Sequence, residues 1–304
     1  MLLGAGAATG QDFPNRPIRI VAAEPGGSND FLARVIAQGI LETMGQQAIV
    51  DNRASALVAG IVAKSTPDGY TLLVTTGIVW IMPLLQTASY DPVKDLTPIT
   101  LAVSSPNILA VHPSVPVNTV RELIALAKAR PGELNYGSGA TGSTSHLGAE
   151  LFKAMAGVDM VRIPYKGAGP AITGLIGGQV QLMILTSSSA VPHIKSGRLK
   201  ALAVTSAQPS NMFPGLPTVA ASGLPGYEAA SVMSVFAPAN TPAAIVNRLN
   251  QEIVKTLNRP DAKARLVNAG LEIVGSSPAQ SAAAIKADMA RMGKLIRDAG
   301  IRAE

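Results

Sequence analysis

The residues here that could do chemistry are mostly hydroxyls and glycines, not acids, bases or thiols. The densest group is Gly137-Ser138-Gly139-Ala140-Thr141-Gly142-Ser143-Thr144-Ser145-His146. Leu134-Asn135-Tyr136 precedes it as a strand, and Leu147, Leu151 and Met155 follow at helical spacing. A strand feeding a helix through glycines leaves backbone N–H groups at a positive helix end, where an anion binds. Neighbouring hydroxyls hydrogen-bond a carboxylate without adding charge, so capture stays reversible. Two further turns have the same character. Pro25-Gly26-Gly27 stands between a strand at Ile18, Ile20 and Val21 and a helix carrying Leu32, Val35, Ile36 and Ile40 on one side. There Ser28 or Asn29 is the expected cap. Gly167-Ala168-Gly169-Pro170-Ala171 is the third turn, with Pro170 expected at the first helical position. The alternative for each is an ordinary βα turn with no ligand.

Catalysis has little support. The histidines are His112, His146 and His193, and His112 and His193 each adjoin a proline. Ser143, Ser145 and His146 lie close together, but no acid is placed to orient the imidazole and no nucleophile elbow is present. There are no cysteines, which excludes disulfides, thiolate metal sites and thiol catalysis. Metal-ligand spacing among His, Asp and Glu is absent, so neither a metal nor a cofactor is expected. Gly137 to Gly142 does match G-x-G-x-x-G, with Asp159 about twenty residues on. That leaves a nucleotide-dependent α/β enzyme as the alternative function. Against it, the hydroxyls of Ser138, Thr141, Ser143 and Thr144 crowd a turn that dinucleotides approach through bare backbone.

The elements that must position these turns are repeated βα units. With 304 residues, 47% apolar and 14% charged, the chain has material for two globular domains. The net charge of +6 is scattered, so it favours encounter with small anions over a nucleic-acid groove. The alternation predicts an α/β fold with mainly parallel sheets, ligands gathering at the carboxyl ends of strands. Expected helices include Ser55 to Lys64 and a last one opened by Ser277-Pro278, whose charged face is solvated. Crossovers near Ser105 and Glu228 divide the chain into lobe 1 (residues 1–103 and 229–304) and lobe 2 (residues 104–228). No apolar run is long enough to cross a bilayer. Residues 1–11 read as the remnant of a secretory signal with a cleavage point near Ala5-Gly6-Ala7 or Ala7-Ala8, although the basic n-region is missing. A floppy cytoplasmic terminus is the alternative.

Several segments, in this order, carry a family resemblance. They are PNRPIRIV, PGGSNDFLARVIA, the pair Asn52-Arg53, PDGYTLLV, YDPVKDLTPIT, NYGSGATGSTSHLGAELFKAMAGVDMVRIPYKGAGPAITGLIGGQVQLM, VPHIKSGRLKALAVTS, LPTVAASGLPGY and APANTP. Together, from about Phe13 to the C-terminus, they closely resemble the extracytoplasmic solute receptors of tripartite tricarboxylate transporters, the Bug family. The resemblance implies a monomeric two-lobed periplasmic binding protein, not an enzyme. Such a protein closes over a small carboxylate and passes it to membrane permease subunits or signals to a sensor. It also implies that the first glycine loop, the hydroxyls of the SGATGSTS turn and backbone of the KGAGPA loop hold a carboxylate. Here those positions are Pro25, Gly26, Gly27, Ser28, Ser138, Thr141, Ser143, Thr144, Gly169 and Ala171, with Thr75 and Thr76 lining the same cleft.

The departures from the family pattern bear on the ligand. Ala22-Ala23-Glu24 replaces the usual Pro-Phe-x before the first glycines, and Glu24 repels an anion unless it points out or is protonated. Ala54 to Gly60 replaces a Pro-Gly-Ala-Gly-Gly loop. Leu185 stands near where some relatives place an Asp for a ligand amine. Ile78-Val79-Trp80-Ile81-Met82 replaces a more polar segment, and Trp80 and Met82 suit an apolar or aromatic body. The alternative is that Ile78 to Met82 simply packs between strand and helix.

Overall fold

The computed structural model describes residues 13–23, 25–139 and 141–302. Short apolar runs form its strands. β1 (Ile18–Ala22) is almost wholly buried and leads through the first glycine turn into α1 (Ser28–Met44), β2 (Ala48–Asn52), α2 (Val58–Ala63), β3 (Thr71–Thr76) and α3 (Ile78–Leu85). β4 (Leu96–Ser105) and β5 (Asn107–Val111) follow, then α4 (Val120–Ala129), β6 (Asn135–Ser138), α5 (Thr144–Ala156), β7 (Val161–Pro164), α6 (Ala168–Ile176), β8 (Leu182–Thr186), α7 (Ser187–Lys195) and β9 (Lys200–Val204). The chain closes with β10 (Ser231–Pro238), α8 (Ala243–Leu257), α9 (Pro260–Asn268), β11 (Glu272–Ile273) and α10 (Pro278–Asp298).

Among the described residues the strands form two sheets. One has six strands in the order β11-β4-β10-β3-β1-β2, and the other has five in the order β7-β6-β8-β5-β9. The sheets are mixed, not mainly parallel. β1 pairs parallel with β2 and β3, and β6 with β7 and β8, whereas β10 and β5 run antiparallel to both neighbours. The reason is where the chain changes sheet. β10 starts beside the end of β3 (Met233 opposite Thr76), and β5 starts beside the end of β8 (Asn107 opposite Thr186). A strand that enters at the carboxyl edge of its neighbours must run back against them. No crossover helix separates β4 from β5 to reset the direction.

The two crossovers touch. The Asn107 side chain donates to the Ala229 carbonyl at 2.6 Å and accepts from the Ser231 hydroxyl at 3.4 Å. Thr205 N–H donates to the Asn107 carbonyl, and Ala229 N–H to the Thr205 carbonyl, each at 2.8 Å. The carboxyl edges of both sheets, with the glycine turns they carry, therefore face the same junction.

Local departures have local causes. α1 is capped by the extended backbone of Gly27 without a side-chain hydrogen bond, not by Ser28 or Asn29. α2 is shorter than expected because residues 54–57 form a turn closed by Leu57 N–H on the Ala54 carbonyl. Pro170 is the third residue of α6, where a missing N–H is equally harmless. α9, begun by Pro260, is a separate helix that breaks the tail. The expected signal remnant and Glu24 lie outside the described residues.

Candidate functional site

The first glycine turn is occupied by its own chain. Asp30, in the first turn of α1 and 5% exposed, accepts from Gly26 N–H at 3.0 Å. Arg34 Nε and Asn52 Nδ2 also donate to it, at 3.1 and 3.0 Å. The Arg34 guanidinium, with help from Gly26 and Asn52, holds the carboxyl below the usual carboxylate range despite burial. Pro25, Gly26, Gly27 and Ser28 themselves are exposed. They lie at the same sheet edge as Thr75 and Thr76, since β1 and β3 are parallel neighbours. Thr75 is buried and Thr76 half-buried.

The second turn is also internally bonded. Gly139 N–H donates to Ser145 Oγ at 3.1 Å, and Gly142 N–H to His146 Nδ1 at 3.2 Å. Ser143 is the N-cap of α5, accepting from His146 N–H at 3.4 Å and lying 3.1 Å from Ser145 Oγ. Arg162 reaches across from β7 and binds the turn from behind. Its Nε donates to Ser138 Oγ (2.8 Å), Nη1 to Thr141 Oγ1 (3.0 Å) and Nη2 to the Gly139 carbonyl (3.2 Å). Ser138 is fully buried and Thr141 half-buried. Thr144 differs: it is exposed and its side chain forms no hydrogen bond to another described residue.

The third turn adjoins the second. A Cβ on Gly139 would lie 3.9 Å from the Gly167 carbonyl carbon. Gly169 is exposed and its carbonyl accepts from Thr173 Oγ1, while Ala171 is buried in the core under α6.

A cavity of about 530 Å³ opens where the sheets meet. Thr76 and Gly77 before α3 line it from one side, and Gly142, Ser143 and Thr144 at the start of α5 from the other. Both helices direct their positive ends towards it. Ile78, Ile81, Leu147 and Met292 supply apolar wall. The crossover residues Glu228 to Val232 and the inner face of α10 close it. Of the positions singled out in the sequence, Thr76, Ser143 and Thr144 line this space. Pro25, Gly26, Gly27, Ser28, Thr75, Ser138, Thr141, Gly169 and Ala171 do not. Gly142 is pressed against α3: an added Cβ would come within 2.7 Å of Leu85 Cδ1.

Trp80 lines the cavity as part of its wall, not as an open platform. It is 3% exposed, tilts against Phe236 at 6.2 Å, and donates from Nε1 to Asp288 at 2.8 Å. Asp288 pairs with Arg291 at 2.6 Å, and Arg291 also donates to the Glu228 carbonyl. Leu185, suspected as a lost ligand contact, is buried in the second sheet's core.

Asp30, Arg162, Asp288 and Arg291 were not singled out in the sequence. Asp30 had a visible signal, an acid at the first turn of a helix behind glycines. Arg162 had none, because its role needs the β6–β7 register that sets it opposite Tyr136. The nucleotide reading loses its acid. Asp159 precedes β7 and bonds through its carbonyl to Gly132 N–H, at the end of the strands opposite the glycine turn.

Comparison with known proteins agrees with this fold. The family model described as tripartite tricarboxylate transporter family receptor matches residues 32–301. Protein BugT of Bordetella pertussis is 35% identical over 98% of this chain and 94% of its own. The R. palustris Rpa4515 structure with adipate is 39% identical, covers 96% of this chain and all of its own (100%), and superposes with a TM-score of 0.78. The periplasmic binding protein BugD is 29% identical over 96% of this chain and 100% of its own, with a TM-score of 0.74.

Proposed function

Since the chain belongs to the tripartite tricarboxylate transporter receptor family, we propose that it is an exported receptor for a small carboxylate with an apolar or aromatic body. The observation that carries this reading is the cavity at the sheet junction. There, hydroxyls at two helix N-termini face each other across an otherwise largely apolar space. Thr76 and Thr144, with Ser143, hold the carboxylate. Ile78, Ile81 and Leu147 cover its body. The relative solved with adipate supports the choice, because adipate joins its carboxylates by a plain aliphatic chain. The exposed flanking turns at Pro25 to Ser28 and at Gly169 shape the cleft and reach the ligand on closure, while the buried Ser138 and Ala171, and Thr141 held by Arg162, support the turns from behind.

The lobes are residues 1–103 with 229–304, and residues 104–228, hinged at the paired crossovers. The protein works as a periplasmic monomer and presents its ligand to permease subunits or to a sensor. Among the described residues no helix is long and apolar enough to cross a membrane.

Native mass spectrometry of the protein as purified, followed by calorimetry with benzoate, adipate, succinate, citrate and aspartate, tests the reading. A retained or added carboxylate is expected, with benzoate or adipate ahead of citrate and aspartate. Binding of none of these acids would overturn it.

A further inference from the structure

The polar groups that line the cavity are of two kinds. The starts of α3 and α5 bring the hydroxyls of Thr76, Ser143 and Thr144 beside helix N-termini. α10 and the crossover before β10 bring the charged residues of the lining, Glu228, Asp288 and Arg291, two acids against one base. The base is already engaged. Arg291 Nη2 lies 2.6 Å from Asp288 Oδ1, and its Nη1 donates to the Glu228 carbonyl. Asp288 in turn is the acceptor for the buried Trp80 N–H. The half-buried Glu228 carboxylate forms no hydrogen bond or ion pair with another described residue.

We propose that the α10 wall is a donor-selecting subsite. It takes the second polar group of the ligand when that group is a hydroxyl, amide or ammonium, and it turns away a second carboxylate. The proposal rests on the carboxylate-receptor reading above and adds the identity of that second group. A second carboxylate could gain Arg291 only by displacing Asp288. That would leave Asp288 uncompensated in a partly buried site and set three acids around one guanidinium. A donor needs no such exchange. A carboxylate has about four lone-pair sites, and each Asp288 oxygen accepts one bond here, so both it and Glu228 can receive more. Discrimination of this kind comes from the group that is repelled as much as from the one that is held.

The test uses two matched pairs on the intact protein: adipate against hydroxyhexanoate, and terephthalate against hydroxymethylbenzoate. Calorimetry should show the hydroxy acid binding at least tenfold tighter than the dicarboxylate within whichever scaffold fits. Glu228→Gln should narrow that ratio at least threefold by improving the dicarboxylate. Asp288→Asn should act in the same direction. Because Asp288 also holds Trp80, melting temperature is measured alongside, and Glu228→Gln carries the comparison if Asp288→Asn is destabilised. A dicarboxylate that binds as tightly as its hydroxy partner, or a ratio that Glu228→Gln leaves unmoved, overturns the subsite while the receptor reading stands. Binding of none of the four compounds overturns both.

Discussion

Ser143 and Thr144 stand side by side, yet truncating them has different consequences. Ser143 caps α5, so Ser143→Ala costs about 1 kcal/mol of stability in addition to any loss of affinity. Thr144 is exposed and its side chain makes no bond to another described residue. Thr144→Ala should therefore leave the melting temperature unchanged. It should weaken binding of the preferred carboxylate by about ten- to a hundredfold, the cost of one hydrogen bond to a charged group of about 1.5–3 kcal/mol. Calorimetry beside thermal melting separates the two. Asp30 gives a pH-dependent case. Its folded carboxyl titrates below the unfolded value, so its stabilisation is present above about pH 4 and is lost as pH falls through the depressed value. At neutral pH Asp30→Asn should cost about 1.5–3 kcal/mol in urea unfolding. The gap from the parent protein should shrink towards zero as the pH drops below 4. An equal gap at both pH values would remove the charge from the account. At this scale the hydroxyls were legible in the sequence because they sit next to glycines on one turn. The acids and bases around them were not, since Trp80 and Asp288 meet across 208 residues.

Arg162 belongs to the scale of elements, because it ties β7 to the turn that ends β6. Its fork reaches two hydroxyls and a carbonyl at once, which a lysine cannot reproduce. Arg162→Lys should lower affinity for the preferred carboxylate about tenfold by loosening the turn, and Arg162→Gln further because the charge is lost. If both variants bind as the parent does, the turn is not holding the ligand. The alternation of strand and helix was readable from short apolar runs such as β1 and β5 and from the glycines and prolines between them. Strand direction was not. β5 and β10 look like any buried strand, and what reverses them is the edge at which the chain changes sheet. Pro260 opens α9 just beyond the end of α8, a position where a missing N–H is harmless.

For the molecule as a whole, hydrogen bonds at Asn107 join the two crossovers, and the proposed closure is expected about that line. Small-angle scattering should show compaction when the preferred carboxylate is added. Gly142→Ala should reduce it, because Gly142 has φ +82° and its new methyl would press on Leu85 across the junction. Undiminished compaction in that variant would place the closing contact elsewhere. The division into two sheets was visible in chain length and in the two crossover segments. That two of the turns would bond their own N–H groups at Gly26, Gly139 and Gly142 was not, because it depends on the side chains folded beneath them.

Trp80 is the one tryptophan in the chain, and it forms part of the cavity wall with its N–H on a carboxylate. The protein thus carries a built-in optical reporter at one address. A solute that fills the cavity changes the surroundings of the indole and of the carboxylate that holds it, and should change the emission with an amplitude that saturates alongside calorimetric binding. A solute held only at the exposed Pro25 to Ser28 turn would leave the spectrum unchanged, so a single titration in a fluorimeter distinguishes the two locations without any substitution.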